Sequence, residues 1–516
     1  MKSNHNKGAT MRTITIESGA IQGISAGEGV VEYRGIPYAA APVGELRYLG
    51  PQPVKPWSGV RVMDRYGSPT WQEINPLIGV TEIGDDCLNL NMWVPEGEGP
   101  FPVMVWIHGG GFTNGTPSQL LYNGAALARS QQVIVVNISY RLGVWGFGNF
   151  KAIAPEMPQE SNLGLRDMLA ALRWVQTNID AFYGDPNSVT VFGESAGGFA
   201  VASLLAMPSA QGLFHKAIVQ SGAGDMALSE AASQQVAELV FNALEGEGSS
   251  EDILLRATPK AMVKAQRAAL KVPVTRGLRT TTPQYGMPFL PVIDGLLPEL
   301  PVTAIAKGAA QNIPLLAGTC REEWNLFQYA PPFNGGVSLA EMKQLTEEDI
   351  LRRFVRVLPE HGEQAFAAYK TWVQPHKDRA LTDYYTAMES DRIFRVPTER
   401  LLSAHTKAGG SGWGFEFTWS ENGLGIPLGA FHVMDVPFVF GLTDTPIGKM
   451  FTGGSEAAAE LAARVGQAWG EFARTGALNW AQWQDGTVMQ FDRVPSQATY
   501  LDKERLALWR DIIPES

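Results

Sequence analysis

The chain has 516 residues, 45% hydrophobic and 18% charged, with 41 Lys and Arg against 52 Asp and Glu for a formal net charge of −11. That acidic balance argues against nucleic acid and anionic membrane as partners, because both reward clustered basic residues and the sequence has no basic run. Only two cysteines occur, Cys87 and Cys320, so a secreted disulfide scaffold is excluded, and no CxxC or Cys/His zinc pattern exists.

Residues Met1 to Thr10 are polar throughout, without the apolar stretch of a secretory signal. No run reaches the roughly 18 apolar residues of a spanning helix. The expectation is a cytoplasmic protein with a flexible segment at 1–11. Residues 12–40 read as short strands with turns at Gly19, Gly23 and Gly35, a small antiparallel sheet. From about residue 85 buried strands alternate with helices. Val103–Ile107 is an apolar run ending at His108-Gly-Gly-Gly-Phe112, and Val133–Ile138 is rich in β-branched residues. Leu165 to Ile179 has helical periodicity and stops before Gly184-Asp-Pro186. Ser188–Phe192 reads as a strand, Ala196–Met207 as a helix of small residues, and Ala217–Val219 and Pro314–Ala317 as further strands. Between about 225 and 400 the text turns helical and irregular, as insertions over one edge of a sheet. A last amphipathic helix runs from Ser455 to Thr475 and stops at Gly476. The pattern predicts an α/β fold with a mostly parallel sheet flanked by helices, built as a single catalytic domain over 12–516.

Gly193-Glu-Ser-Ala-Gly197 fits G-x-S-x-G between an apolar strand and a helix. That setting lifts the Ser195 oxygen above a sheet and aims a helix N-terminus at it. The three glycines of His108–Phe112 follow a buried strand, where consecutive amides can turn inward without side chains in the way. Gly110 and Gly111, with the amide of Ala196, are the expected donors to an oxyanion. A phosphate loop would want a neighbouring Lys and Ser or Thr, which this run lacks.

Together these segments resemble the type-B carboxylesterase/lipase family, the cholinesterase-like branch of α/β-hydrolases. The resemblance extends to Arg34-Gly-Ile-Pro-Tyr38, Pro42–Arg47, Asp86–Asn91, Tyr140–Gly143, Gln220-Ser-Gly222 and Pro291–Gly295, all in family order over about residues 12–440. It implies the α/β-hydrolase fold and hydrolysis of a small-molecule carboxylic ester through an acyl-enzyme, with no cofactor and no metal. A monomer or homodimer is expected.

Of the seven histidines, elimination favours His432, in a loop after the strand Gly414–Trp419; the resemblance places the base there. It places the acid in Gly318–Trp324, at Glu323, with Glu322 the main competitor and Asp435 a distant one. Family members that carry a disulfide at Cys87 have a partner shortly upstream, where this chain reads Ser68-Pro-Thr-Trp-Gln72. Arg141 with Asp167, and Arg47 with Asp85, look like the family's structural ion pairs. Phe112, Trp324 and Phe438, with Trp145 and Phe440, are candidates for an apolar substrate wall, with core packing the favoured role for any one of them. Two other functions compete with a carboxylesterase: a hydrolase using the same site on carbamates, amides or lactones, and a non-catalytic binding protein. The second is disfavoured because the nucleophile is retained.

Overall fold

Along the strand Phe101–Ile107, Val103, Val105 and Ile107 join one apolar core while Met104 and Trp106 join another. Ile134–Ile138, Lys216–Gln220 and Leu315–Cys320 divide their side chains the same way. Strands buried on both faces need helices on both, and those helices define the two cores. Leu163–Asn178 and Ala196–Ala206 supply the first; the long helix Glu456–Thr475 supplies the second. Ser455 caps that helix by accepting from the amide of Ala458, and Gly476 ends it in the left-handed region.

The computed structural model describes residues 13–27, 29–276, 283–284, 286–330, 337–484 and 486–513. Segment 1–11, expected to be flexible, lies outside the described residues. Among the described residues the large sheet has eleven strands. From one edge they run Ser496–Thr499, Thr487–Phe491, Gly412–Phe417, Leu315–Cys320, Lys216–Gln220, Gly184–Glu194, Phe101–Ile107, Ile134–Ile138, Asn89–Pro95, Val30–Pro37 and Ile24–Ser25. Pairing is parallel from Thr487–Phe491 through Ile134–Ile138 and antiparallel at both ends. This is the mostly parallel, doubly covered sheet that the alternating pattern predicts.

The N-terminal reading needs one correction. Thr13–Ile16 and Gly19–Gln22 do form an antiparallel pair, joined by Val60–Val62 in parallel. Val30–Pro37, however, belongs to the large sheet. Gly35 is not a turn: the ladder to Asn89–Pro95 shifts register between Tyr33 and Ile36, so the glycine sits in a bulge of one continuous strand. At the other end, Glu456–Thr475 is not the last helix. Lys503–Ile512 follows, capped by Asp502, with Leu508, Trp509 and Ile512 buried.

Helices dominate residues 230–407, several with Ser or Thr N-caps at Ser229, Ser249, Thr258, Ser338 and Thr346. Among the described residues no helix is long and apolar enough to cross a membrane.

Candidate active site

The strand Gly184–Glu194 ends at Ser195, which takes φ 58° and ψ −124° before the helix Ala196–Ala206 begins. A non-glycine residue is strained there, and such strain collects at functional sites. From 189 to 207, Ser195 is the one residue that is not buried. The turn is tight enough to demand its glycine: a Cβ on Gly197 would lie 1.9 Å from the carbonyl oxygen of Ile107.

The glycine loop follows the neighbouring strand Phe101–Ile107 and lies against this elbow. A Cβ on Gly109 would meet the Glu194 carbonyl oxygen at 2.8 Å and the Ser195 Cβ at 3.0 Å. Gly110 and Gly111 both have positive φ, 113° and 60°, and the Gly110 carbonyl accepts from the amides of Thr113 and Asn114. The amides of Gly110, Gly111 and Ala196 donate to no acceptor among the described residues. His108 anchors the loop. Its buried ring stacks on Tyr140 with centroids 4.5 Å apart, and burial brings its pKa down to about 4, so it stays neutral.

Glu323 lies in the turn beyond Leu315–Cys320, and His432 in the loop beyond Gly412–Phe417. The structure brings them together: His432 Nδ1 is 2.6 Å from Glu323 Oε2. The other carboxylate oxygen of Glu323 accepts from the Ser221 hydroxyl at 2.6 Å and the Cys320 amide at 2.8 Å. Three donors therefore fix a fully buried carboxylate. Glu322 points elsewhere. Its Oε2 accepts from the Ala430 amide at 2.8 Å and its own amide donates to the Ala430 carbonyl, pinning the histidine loop from outside.

Glu194, the residue before Ser195, faces the far edge of the imidazole, with Oε1 3.1 Å from His432 Nε2. Burial lifts its carboxyl pKa to about 8. Burial alone would depress His432, but the carboxylates of Glu194 and then Glu323 outweigh it and raise the imidazole. Asp435 lies behind, accepting from Gln220 Nε2 at 2.7 Å, while Trp469 Nε1 donates to Gln220 Oε1. Burial pushes Asp435 up to about 6, tempered by that hydrogen bond.

Sequence reasoning missed Ser221 and Glu194 as neighbours of this pair, although both sit inside quoted motifs. It also missed Phe327 and Phe394, whose ring centroids lie 5.2 and 4.8 Å from that of His432. No local pattern marks either one. Of Phe112, Trp324 and Phe438, Trp324 is half-buried with its ring 4.9 Å from that of Phe327. The other two turn away. The φ of 58° at Phe112 swings its ring into the first core against Phe147. Phe438 packs on Phe417 and Trp419 in the second.

The scaffold pairs also divide. Arg141 meets Asp167 in a buried fork, Nε to Oδ2 at 2.8 Å and Nη2 to Oδ1 at 2.7 Å. Arg47 and Asp85 line one small cavity, but no ion pair joins them among the described residues. The Arg47 guanidinium lies over Trp145 and donates to the Ala257 carbonyl, while Asp85 accepts from Trp71. Cys87 and Cys320 are both free and buried. Among the described residues no cluster of His, Cys, Asp or Glu is placed to hold a metal ion.

Comparison with known proteins agrees over nearly the full length. The profile of the carboxylesterase family matches residues 10–509. The para-nitrobenzyl esterase of Bacillus subtilis (strain 168) is 34% identical over 505 residues, 93% of this chain and 94% of that protein. The fumonisin B1 esterase of Sphingopyxis macrogoltabida is 34% identical over 475 residues, 89% of this chain and 81% of that one. Among solved structures, a Geobacillus stearothermophilus carboxylesterase superposes with a TM-score of 0.82 at 32% identity, covering 96% of this chain and 99% of that one. The sheet is thus that of an α/β-hydrolase. The chain belongs to the carboxylesterase family and is a carboxylic-ester hydrolase.

Proposed function

We propose that Ser195, His432 and Glu323 are the nucleophile, base and acid of a two-step ester hydrolysis. The observation that carries this reading is the 2.6 Å contact that locks His432 Nδ1 onto Glu323, beside the strand end that presents Ser195. A carboxylate on Nδ1 fixes the tautomer, leaving Nε2 as the proton acceptor, and stabilises the imidazolium once it forms. Ser195 Oγ attacks the ester carbonyl as His432 takes its proton. The alkoxide that develops is met by the free amides of Gly110, Gly111 and Ala196, each such donor being worth about 3–4 kcal/mol in the transition state. His432 then protonates the departing alcohol. Water attacks the acyl-enzyme by the same route, and the acid leaves.

Small to medium apolar or aromatic esters suit the site. Phe327 packs on His432 and Trp324 packs on Phe327, and Met287 Cγ lies 3.8 Å from where a Gly111 Cβ would stand, beside the amides that receive the carbonyl. A para-nitrophenyl ester series of increasing acyl length tests both parts. Ser195→Ala should lower kcat/KM by about 10⁴-fold or more while remaining folded. A wild type inactive on every ester, or Ser195→Ala at wild-type rate, would overturn the assignment.

A further inference from the structure

The helices Thr382–Ser390 and Val396–Lys407 are joined without a break by one turn of π-helix, Asp391–Arg395. A π-turn inserts one extra residue into a helix, is rare, and is frequent at functional sites. This one is held by buried charge. Asp391 is fully buried and accepts from Tyr369 Oη at 2.6 Å, Arg395 Nη1 at 2.8 Å and Arg505 Nη1 of the C-terminal helix at 3.3 Å. Arg395 Nη2 reaches Glu416 Oε1 at 2.6 Å, on the strand that leads to the His432 loop. Arg392 forks onto Glu389.

Two contacts run from this turn into the site. Just before it, Ser390 Oγ accepts from the amide of Trp324, the residue after Glu323, at 2.9 Å. Within it, Phe394 reaches the imidazole. The Phe394 and Phe327 rings are parallel to within 4° with centroids 6.5 Å apart, and the His432 ring is tilted 41° and 42° to them. The imidazole therefore rests in the notch between two parallel phenyl rings.

We infer that the π-turn Asp391–Arg395 is a brace that sets the acid and the base against each other, with Ser390 holding the Glu323 turn and Phe394 holding the His432 ring. Ser390 and Phe394 face the site while Asp391 and Arg395 keep their buried partners. Ser390 and Phe394 are positioning residues: they act through Glu323 and His432. The inference rests on the proposed roles of those two.

The test compares Phe394→Leu and Ser390→Ala with wild type and His432→Ala. Steady-state kinetics on a short para-nitrophenyl ester are read together with the His432 Nδ1 proton resonance. Phe394→Leu should lower kcat about tenfold with KM within about twofold, as expected when a base is misplaced but binding is kept. Its Nδ1 resonance should broaden. Ser390→Ala, a smaller change that guards against a Phe394 variant that fails to fold, should lower kcat about threefold, with rescue by Ser390→Thr. Wild-type kcat and a sharp resonance in both folded variants would overturn the brace. So would a change confined to KM, which would make Phe394 a substrate wall. If His432→Ala keeps the wild-type rate, the base assignment falls; if only His432→Ala loses activity, the brace alone falls.

Discussion

Glu194 and Glu323 grip opposite edges of one imidazole, at 3.1 Å from Nε2 and 2.6 Å from Nδ1 of His432. The two carboxyls differ in support. Glu323 accepts from Ser221 and from the Cys320 amide, whereas among the described residues neither oxygen of Glu194 accepts a hydrogen bond. Burial without donors is what raises Glu194 to about 8, while the carboxylates at the two edges of the imidazole raise His432.

A pH profile follows from that difference. As Glu194 ionises it raises His432 and keeps the imidazole protonated. Glu194→Gln removes this charge, so the acid limb of kcat/KM should move to lower pH. Stability should respond as well. A carboxyl whose folded pKa is raised from 4.5 to about 8 contributes stability that is complete below 4.5 and is lost as pH rises toward 8. The variant should therefore melt above wild type at pH 9 by on the order of 2 °C, and lose that margin at pH 5. Superimposable pH–rate profiles would show that Glu194 does not load the imidazole.

The neighbouring glutamates should separate by phenotype. Glu323→Gln keeps shape but loses the charge on Nδ1, and should lower kcat by about 10⁴-fold with little change in melting temperature. Glu322→Gln weakens the acceptor for the Ala430 amide, so its effect should fall on stability, about 1 kcal/mol, with kcat nearly intact. Denaturation curves and ester kinetics on both variants decide the matter, and the reverse pattern would move the acid to Glu322.

Gly110→Ala should damage turnover more than binding. The added methyl would stand 2.1 Å from the Asn114 carbonyl oxygen, on a backbone whose φ of 113° disfavours any side chain. The loop must shift, carrying an amide away from the proposed oxyanion position. The expected loss is about 10²–10³ in kcat, the size seen when one such donor is removed. A folded variant with unchanged kcat would take Gly110 out of the oxyanion site.

The elbow and the glycine loop are legible in the sequence because their demands are local. Gly197 must be glycine where its Cβ would strike Ile107, and three glycines in a row after a buried strand leave few other uses. The strand alternation is legible for the same reason, since each strand divides its side chains between two cores. What escaped depends on the whole fold. Gly35 reads as a turn until Asn89–Pro95 pairs past it. Phe112 and Phe438 read as wall or core alike until the φ at Phe112 turns its ring inward and Phe417 and Trp419 enclose Phe438. Glu194 stands in the most recognisable motif of the chain, yet its contact with His432 joins residues 238 apart, which no window of sequence shows. Phe394 is further removed, since it reaches the imidazole from a π-helical turn on a distant helix.

Asp167 offers a contrast, a buried charge near the site with a structural task. Its carboxylate takes the Arg141 guanidinium as a fork and the Arg141 amide at 3.0 Å, while Arg141 Nη1 donates to the Leu49 carbonyl at 2.8 Å. Both side chains are almost wholly buried, so removing one charge strands the other in a medium that cannot solvate it. Asp167→Asn should therefore destabilise by about 3–5 kcal/mol. The Arg141 segment runs straight into Leu142 and Gly143, and the Gly143 amide donates to the Phe112 carbonyl at the end of the glycine loop. Even so, the loop's own turn, closed by Thr113 and Asn114 on Gly110, does not depend on Asp167. At low temperature the folded variant should keep kcat within about threefold of wild type while its unfolding midpoint falls. A loss of kcat in fully folded protein would show instead that the fork holds the oxyanion loop in place.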